Sequence, residues 1–245
     1  MIILRISFLS LLAFVAILLD SCSPAVTTHQ LSPSKNGEYV ILLHGLARSP
    51  ESMQPLAREL QNAGYGTCVT GYPSRSYTVP QLSERALAPA LQKCRDAGAQ
   101  KIHFIGHSMG AMIARYHLAY HSPTDVGKLV QLAPPNQGSE VVDHLSCWNF
   151  FEWINGPAGS TLGTGEYSLA SQLSPLSHPT LVVAGYCSIN PINSLMIPGP
   201  DDGKVSVKNT QAKGVARHVV IKTSHPMIMK NRQAIQETKA FLMAK

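Results

Sequence analysis

Ser108 sits in Gly106-His107-Ser108-Met109-Gly110, a serine with a glycine two residues away on each side. Ordinary glycine and serine usage supplies such a pattern by chance in about one chain in ten of this size. Its surroundings decide what it means. "KIHFI" before it has the pattern of an apolar strand, and "MGAMIARYHLAY" after it that of a helix. A serine on a tight strand-to-helix turn is held in a strained backbone, with its hydroxyl projecting from the sheet edge. The residues two before and two after it must be small, because strand and helix backbones pass close there. Gly106 and Gly110 meet that need. The chemistry this turn supports is nucleophilic attack by Ser108.

A serine hydroxyl is a weak nucleophile at neutral pH. It needs a base to take its proton, and an acid that fixes the base's tautomer and stabilises its cation. On a turn of this type the order along the chain is serine, acid, histidine. Asp201 and Asp202 in "PGPDDGKVSV" are the acids in the right place. Asp202 is preferred, because Gly203 beside it permits a turn that points the carboxylate inward; Asp125 comes too early. Among ten histidines, His29, His44, His103, His107 and His117 precede or crowd the serine, and His121, His144 and His178 precede the acid. His218 lies inside the strand pattern "VARHVVI". His225, in "KTSHPMIM", falls on a loop, where the sites of open α/β sheets form. The developing oxyanion needs N–H donors. The amide of Met109 is one, and that of Leu46, in "LLHGLARSP", is the second; Gly45 allows the close backbone approach and His44 braces the loop.

These residues require a scaffold that delivers loops to one edge. Strand patterns fall at 38–43, 66–70, 101–105, 126–133, 180–184 and 216–221, and helix patterns at 51–63, 82–97, 109–120 and 230–243. Strand–helix alternation predicts an α/β fold, a mostly parallel sheet with helices on both faces. Between Pro134 and Pro179 the alternation fails. That stretch contains "CWNFFEW" and reads either as a small irregular cap near 135–178 facing the substrate or as a helical excursion packing its aromatics into the core.

The chain of 245 residues, 44% hydrophobic and 14% charged, suits a single α/β domain at 38–245. Its net charge of +6 is scattered, with no basic helix and no aromatic stripe, which argues against nucleic acid as a partner. Residues 1–22 read as a signal segment: Arg5, an apolar run at 6–19 too short for a comfortable membrane span, then Leu19-Asp20-Ser21-Cys22. Lipidation of Cys22, simple cleavage nearby and an uncleaved anchor all remain open. Each implies export, to the bacterial periplasm or to a membrane-anchored lipoprotein. A flexible linker is expected over 23–37. Cys68, Cys94, Cys147 and Cys187 allow two bridges in three pairings, or stay as buried thiols. None has metal-binding spacing.

"VILLHGLARSP", "IGHSMGAMIARY", "LAPPNQGS", "DDGKVSV" and "SHPMIM" together resemble an α/β-hydrolase of the bacterial lipase and esterase kind, over about residues 38–243. Asp202-Gly203-Lys204-Val205 matches the Asp-Gly-x-Val context of the acid in that branch, and "PPNQGS" is similar to a loop that borders the active site in relatives. The resemblance implies an α/β-hydrolase fold and an exported serine hydrolase of carboxylic esters with Ser108, Asp202 and His225 as its triad. It implies a small-molecule or lipid ester substrate, no cofactor, no metal and a monomer attached, if at all, through its N-terminus. Acyl transfer to a lipid or cell-wall acceptor, amide hydrolysis and a catalytically silent binding protein are the alternatives. The compact chain suggests short or medium acyl groups.

Overall fold

A computed structural model describes residues 27–146, 156–159, 161–166 and 168–244. Residues 1–22, read above as a signal segment with Cys22, and the whole of "CWNFFEW" with Cys147 lie outside the described residues. Seven strands form one sheet: β1 (Thr28–Ser32), β2 (Glu38–Leu43), β3 (Gly66–Gly71), β4 (Lys101–His107), β5 (Val126–Leu132), β6 (Thr180–Gly185) and β7 (Arg217–Ile221). Their order is β1-β3-β2-β4-β5-β6-β7, parallel throughout except that β1 runs antiparallel to β3.

The apolar run of β2 shows why the sheet is covered on both sides. Side chains alternate across a strand. Tyr39, Ile41 and Leu43 enter one core layer with Leu91, Met112 and Leu118, from helices α2 (Ala88–Asp96) and α3 (Met109–His121). Val40 and Leu42 enter the other, which includes Leu56, Leu60, Ala234 and Leu242. Those last four come from helices α1 (Gln54–Asn62) and α4 (Arg232–Met243). A parallel strand buried on both faces reads as continuous hydrophobic sequence rather than as alternation.

The strand order reverses beside β2. From β2 the chain moves outward to β3, then crosses back to β4 on the other side. A reversal of this kind opens a crevice at the carboxyl ends of the two strands. The loops leaving β2 and β4 carry Leu46 and Ser108, so the topology delivers both to one place.

Several boundaries differ from the sequence reading. Residues 28–32 fall in the stretch read as a linker and form β1 at the sheet edge. Its one large apolar residue, Leu31, is itself exposed, so backbone pairing with β3 rather than side-chain burial holds it. The helix expected at 82–97 begins at Val79, with Thr78 and Gln81 as a reciprocal capping box, and passes through a π turn at Ser83–Leu87 before α2. Cys68, Cys94 and Cys187 are unbridged thiols, the first two buried in one core layer. No helix among the described residues is long and apolar enough to cross a membrane.

Burial pushes the imidazoles of His44, His103, His107 and His117 below their ordinary value, His117 to about 4. The same rings in the unfolded chain take up protons near pH 6.5. Because the folded values are depressed, acid favours the unfolded state, and stability present above about pH 6.5 is lost as pH falls toward the folded values. The melting temperature is therefore expected to hold from about pH 8 to 7 and to fall steadily from about 6.5 to 4. A flat profile across that lower window in thermal melts would contradict this account.

Candidate active site

Ser108 occupies the turn between β4 and α3 with φ 53° and ψ −121°, a left-side conformation that non-glycine residues rarely adopt. Such a conformation costs roughly 1–3 kcal/mol and survives only where the surroundings enforce it. The Ser108 N–H donates to Leu132 O on β5 at 2.9 Å, and Ala111 N–H to Ser108 O at 3.0 Å. The two glycines explain the tightness. A Cβ on Gly106 would stand 2.3 Å from Ala111 N, and one on Gly110 2.4 Å from Leu43 O. Helix α3 thus abuts both its own strand and the end of β2.

His225 arrives on the loop after β7 and Asp202 on the segment after β6. His225 Nε2 lies 3.0 Å from Ser108 Oγ, and His225 Nδ1 lies 2.8 Å from Asp202 Oδ2. The carboxylate accepts, so the imidazole proton sits on Nδ1 and Nε2 is left to accept from the serine hydroxyl. Asp202 is 1% exposed and fully engaged: its Oδ1 accepts from the N–H groups of Lys204 and Val205 at 3.0 and 2.9 Å. A backbone bond from His225 N–H to Asp202 O at 2.9 Å ties the two loops together. Gly203 has φ +96°, the turn that aims Asp202 inward. Asp201 turns elsewhere, accepting from Gly203 N–H and Ser194 Oγ–H. His218, on β7, bonds Thr210 Oγ1, and Asp125 pairs with Arg95. His29, His103, His117 and His121 pair with Thr70, Glu38, Ser83 and Glu84.

The loop after β2 lies against Ser108: a Cβ on Gly45 would be 3.2 Å from Ser108 Cβ. His44 braces it, as its sequence position suggests. The ring Nδ1–H donates to Gly45 O at 2.9 Å, and the ring stacks on Tyr72 with centroids 4.0 Å apart. Tyr72 donates its hydroxyl to His44 O and its N–H to His44 Nε2. Ala47, at φ 53°, is fixed by its N–H donating to Ser74 Oγ at 3.0 Å. Met109 opens α3, so its amide has no carbonyl one turn back to bond. Leu46 lines the cleft beside Ser108, and Met109 follows Ser108 directly at the start of the helix.

Sequence reasoning missed three supporting residues. Tyr72 holds the loop after β2. His107 Nε2–H donates to His225 O at 3.0 Å, while burial, then the nearby His225, keeps its ring neutral. Arg115 on α3 is buried, its guanidinium lowered to about 10 by desolvation and still charged at neutral pH. It donates to Asn136 O and Oδ1 and to the carbonyls of Leu173 and Ser174, so it pins both ends of the irregular stretch after β5 to α3. Each role depends on a contact distant in sequence, for which no local pattern exists.

The cleft at Ser108 encloses about 270 Å³, with Leu46, Pro135, Val141, Val142, Leu162 and Val205 as its apolar walls. A larger hollow of about 670 Å³ lies at the opposite strand ends, among Glu38, His103 and Lys128. It contains no nucleophile–base pair, so size alone does not locate the chemistry. No cluster of potential metal ligands occurs among the described residues.

The family model for the alpha/beta hydrolase fold matches residues 38–166, more than half of the chain. The chain belongs to the α/β-hydrolase fold family. A triacylglycerol lipase from Pseudomonas fragi is 37% identical over 89 residues, which cover 36% of this chain and 29% of that protein. Among solved structures, the mature Bacillus licheniformis lipase BlEst2 superposes with a TM-score of 0.75 at 18% identity, over 89% of this chain and 98% of that one. A thermophilic esterase from Thermogutta terrifontis superposes with a TM-score of 0.60 at 14% identity, over 88% and 92%. These likenesses establish the hydrolase fold.

The squeeze at the turn gives a direct test. Gly110→Ala is expected to destabilise by about 1–3 kcal/mol in denaturant titration, since backbone must move to admit the methyl group. Gly165→Ala, with nothing within 4 Å of the new Cβ, serves as the control and should be neutral or slightly stabilising. Equal effects at the two sites would contradict the close approach.

Proposed function

We propose that this hydrolase-fold protein cleaves carboxylic esters, with Ser108 as nucleophile, His225 as general base and acid, and Asp202 as the group that orients His225. The observation that carries the reading is the continuous chain from Ser108 Oγ to His225 Nε2 at 3.0 Å and from His225 Nδ1 to Asp202 Oδ2 at 2.8 Å. Ser108 Oγ attacks the ester carbonyl as its proton passes to His225 Nε2. The carbonyl oxygen becomes an oxyanion facing the amides of Leu46 and Met109. Collapse breaks the C–O bond, and the alcohol leaves with the proton from His225. Water then attacks the acyl-enzyme, giving its proton to His225, and the acid departs as Ser108 regains its hydrogen. No step calls on a metal or organic cofactor.

The cleft volume of about 270 Å³ falls just below the usual range for a ligand site, which supports short or medium acyl groups. The similarity to a triacylglycerol lipase and to lipase and esterase structures supports the ester class. The features of residues 1–22 support export, with Cys22 as the lipidation site. Ser108→Ala and His225→Ala are expected to lower kcat/KM on p-nitrophenyl butyrate by at least about 10³-fold. Asp202→Asn should cost about 10⁴-fold in kcat through the wrong tautomer. Asp201→Asn keeps its acceptor oxygen and retains most activity. Full activity in Ser108→Ala would overturn the reading, and an optimum at palmitoyl across an acetyl-to-palmitoyl ester series would overturn the chain-length assignment.

A further inference from the structure

Two cations border the cleft that contains Ser108. Arg48 stands beside Leu46 and Ala47 on the loop after β2, and Lys204 beside Val205 on the segment after β6; both side chains are exposed. Among the described residues, neither the Arg48 guanidinium nor the Lys204 ammonium forms an ion pair. The nearby acids are committed elsewhere. Asp202 is saturated by His225 and by the amides of Lys204 and Val205. Glu140 accepts from Ser206 Oγ through Oε1, its Oε2 being buried away from the cleft lining without a partner among the described residues, and exposed Glu51 bonds Ser49. Among the described residues, no acid lines the cleft itself.

Unpaired surface cations are common, and their position is what matters here. Both side chains line the one cleft; partial desolvation there lowers the Lys204 ammonium, against the pull of Asp202, and Arg48 pushes it the same way. Arg48 also acts on His107, next to the nucleophile. A shallow hollow of about 590 Å³ continues on the outer side of Arg48, lined by Arg75 and by Ser49, Ser52, Ser74 and Ser76, again without an acid. Apolar side chains wall the inner cleft, which suits the acyl group that stays on Ser108. The exposed mouth is where the alcohol half must leave.

We propose that the ester turned over at Ser108 carries an anionic group, a phosphate or a carboxylate, on its alcohol portion, held between Arg48 and Lys204. This rests on the serine-hydrolase reading and deepens it by naming the substrate class. Charge-assisted contacts of arginine and lysine with such oxygens are the strong ones among polar contacts.

Two matched pairs of soluble, monomeric butyrate esters test it. One pair is 2-nitrophenyl butyrate and 3-butyryloxy-4-nitrobenzoate, and the other is glyceryl monobutyrate and its glycerol phosphate counterpart. The anionic member is expected to be favoured about tenfold in kcat/KM at low salt in at least one pair, and which pair shows it identifies the anion. Arg48→Gln and Lys204→Gln should each cut that preference about threefold to fivefold, Arg48→Lys should retain most of it, and added salt should erode it. A Ser108-dependent turnover that shows no anionic preference in either pair overturns the anion site and leaves the hydrolase reading standing. So does a preference that survives in both Gln variants. Failure of the folded protein to turn over any of the four esters overturns both.

Discussion

The structure depends on how closely three backbones pass at Ser108. Strand β4, helix α3 and the end of β2 meet where a methyl group on Gly106 or Gly110 would fall 2.3–2.4 Å from backbone atoms. That contact forces Ser108 into a conformation with φ 53°, which the serine would not adopt alone. It sets the hydroxyl at the sheet edge and leaves the Met109 amide free. It also draws the loop after β2 over the same point. The buried sheet, with apolar layers on both faces, supplies the rigidity that keeps the strain in place.

Around this point, the polar groups that hold the triad residues are satisfied in pairs, while His107 Nδ1 and Arg115 Nε are buried without a hydrogen-bond partner among the described residues. Asp202 is buried, yet its two oxygens take one imidazole and two amides, so the carboxylate stays fixed where His225 needs it. His107 and Tyr72 act one step further out, one on the His225 carbonyl and the other on the His44 carbonyl. Arg115 bonds carbonyls on both sides of the irregular stretch, which makes that stretch part of the same rigid body as α3 at its two ends. A buried cation held only by carbonyl dipoles is costly to desolvate, and its use here reflects the number of loop ends that one fork of donors reaches.

Much of this was legible in the sequence because it rests on local patterns. The glycines flanking Ser108, the apolar runs of the parallel strands and the order of serine, acid and histidine are all linear features. Gly203 separated Asp202 from Asp201 for the same reason, since a residue that turns the chain leaves its mark next door. β1 left no mark, because its pairing is made by backbone and its side chains are mostly in solvent. Tyr72, Arg115 and the cation pair at the cleft were hidden as well. Their roles depend on contacts between loops far apart in the chain. The start of the helical stretch before α2 was readable in principle, since Thr78 and Gln81 have the spacing of a capping box.

The central claim is that Ser108 is the nucleophile and that His225 activates it. Reaction with a fluorophosphonate, followed by peptide mapping of the adduct, tests this without any assumption about the natural ester. The account predicts a single stoichiometric adduct on Ser108 in folded protein, and labelling slowed by orders of magnitude in folded His225→Ala. An adduct on another residue, or equal labelling rates with and without His225, would contradict it.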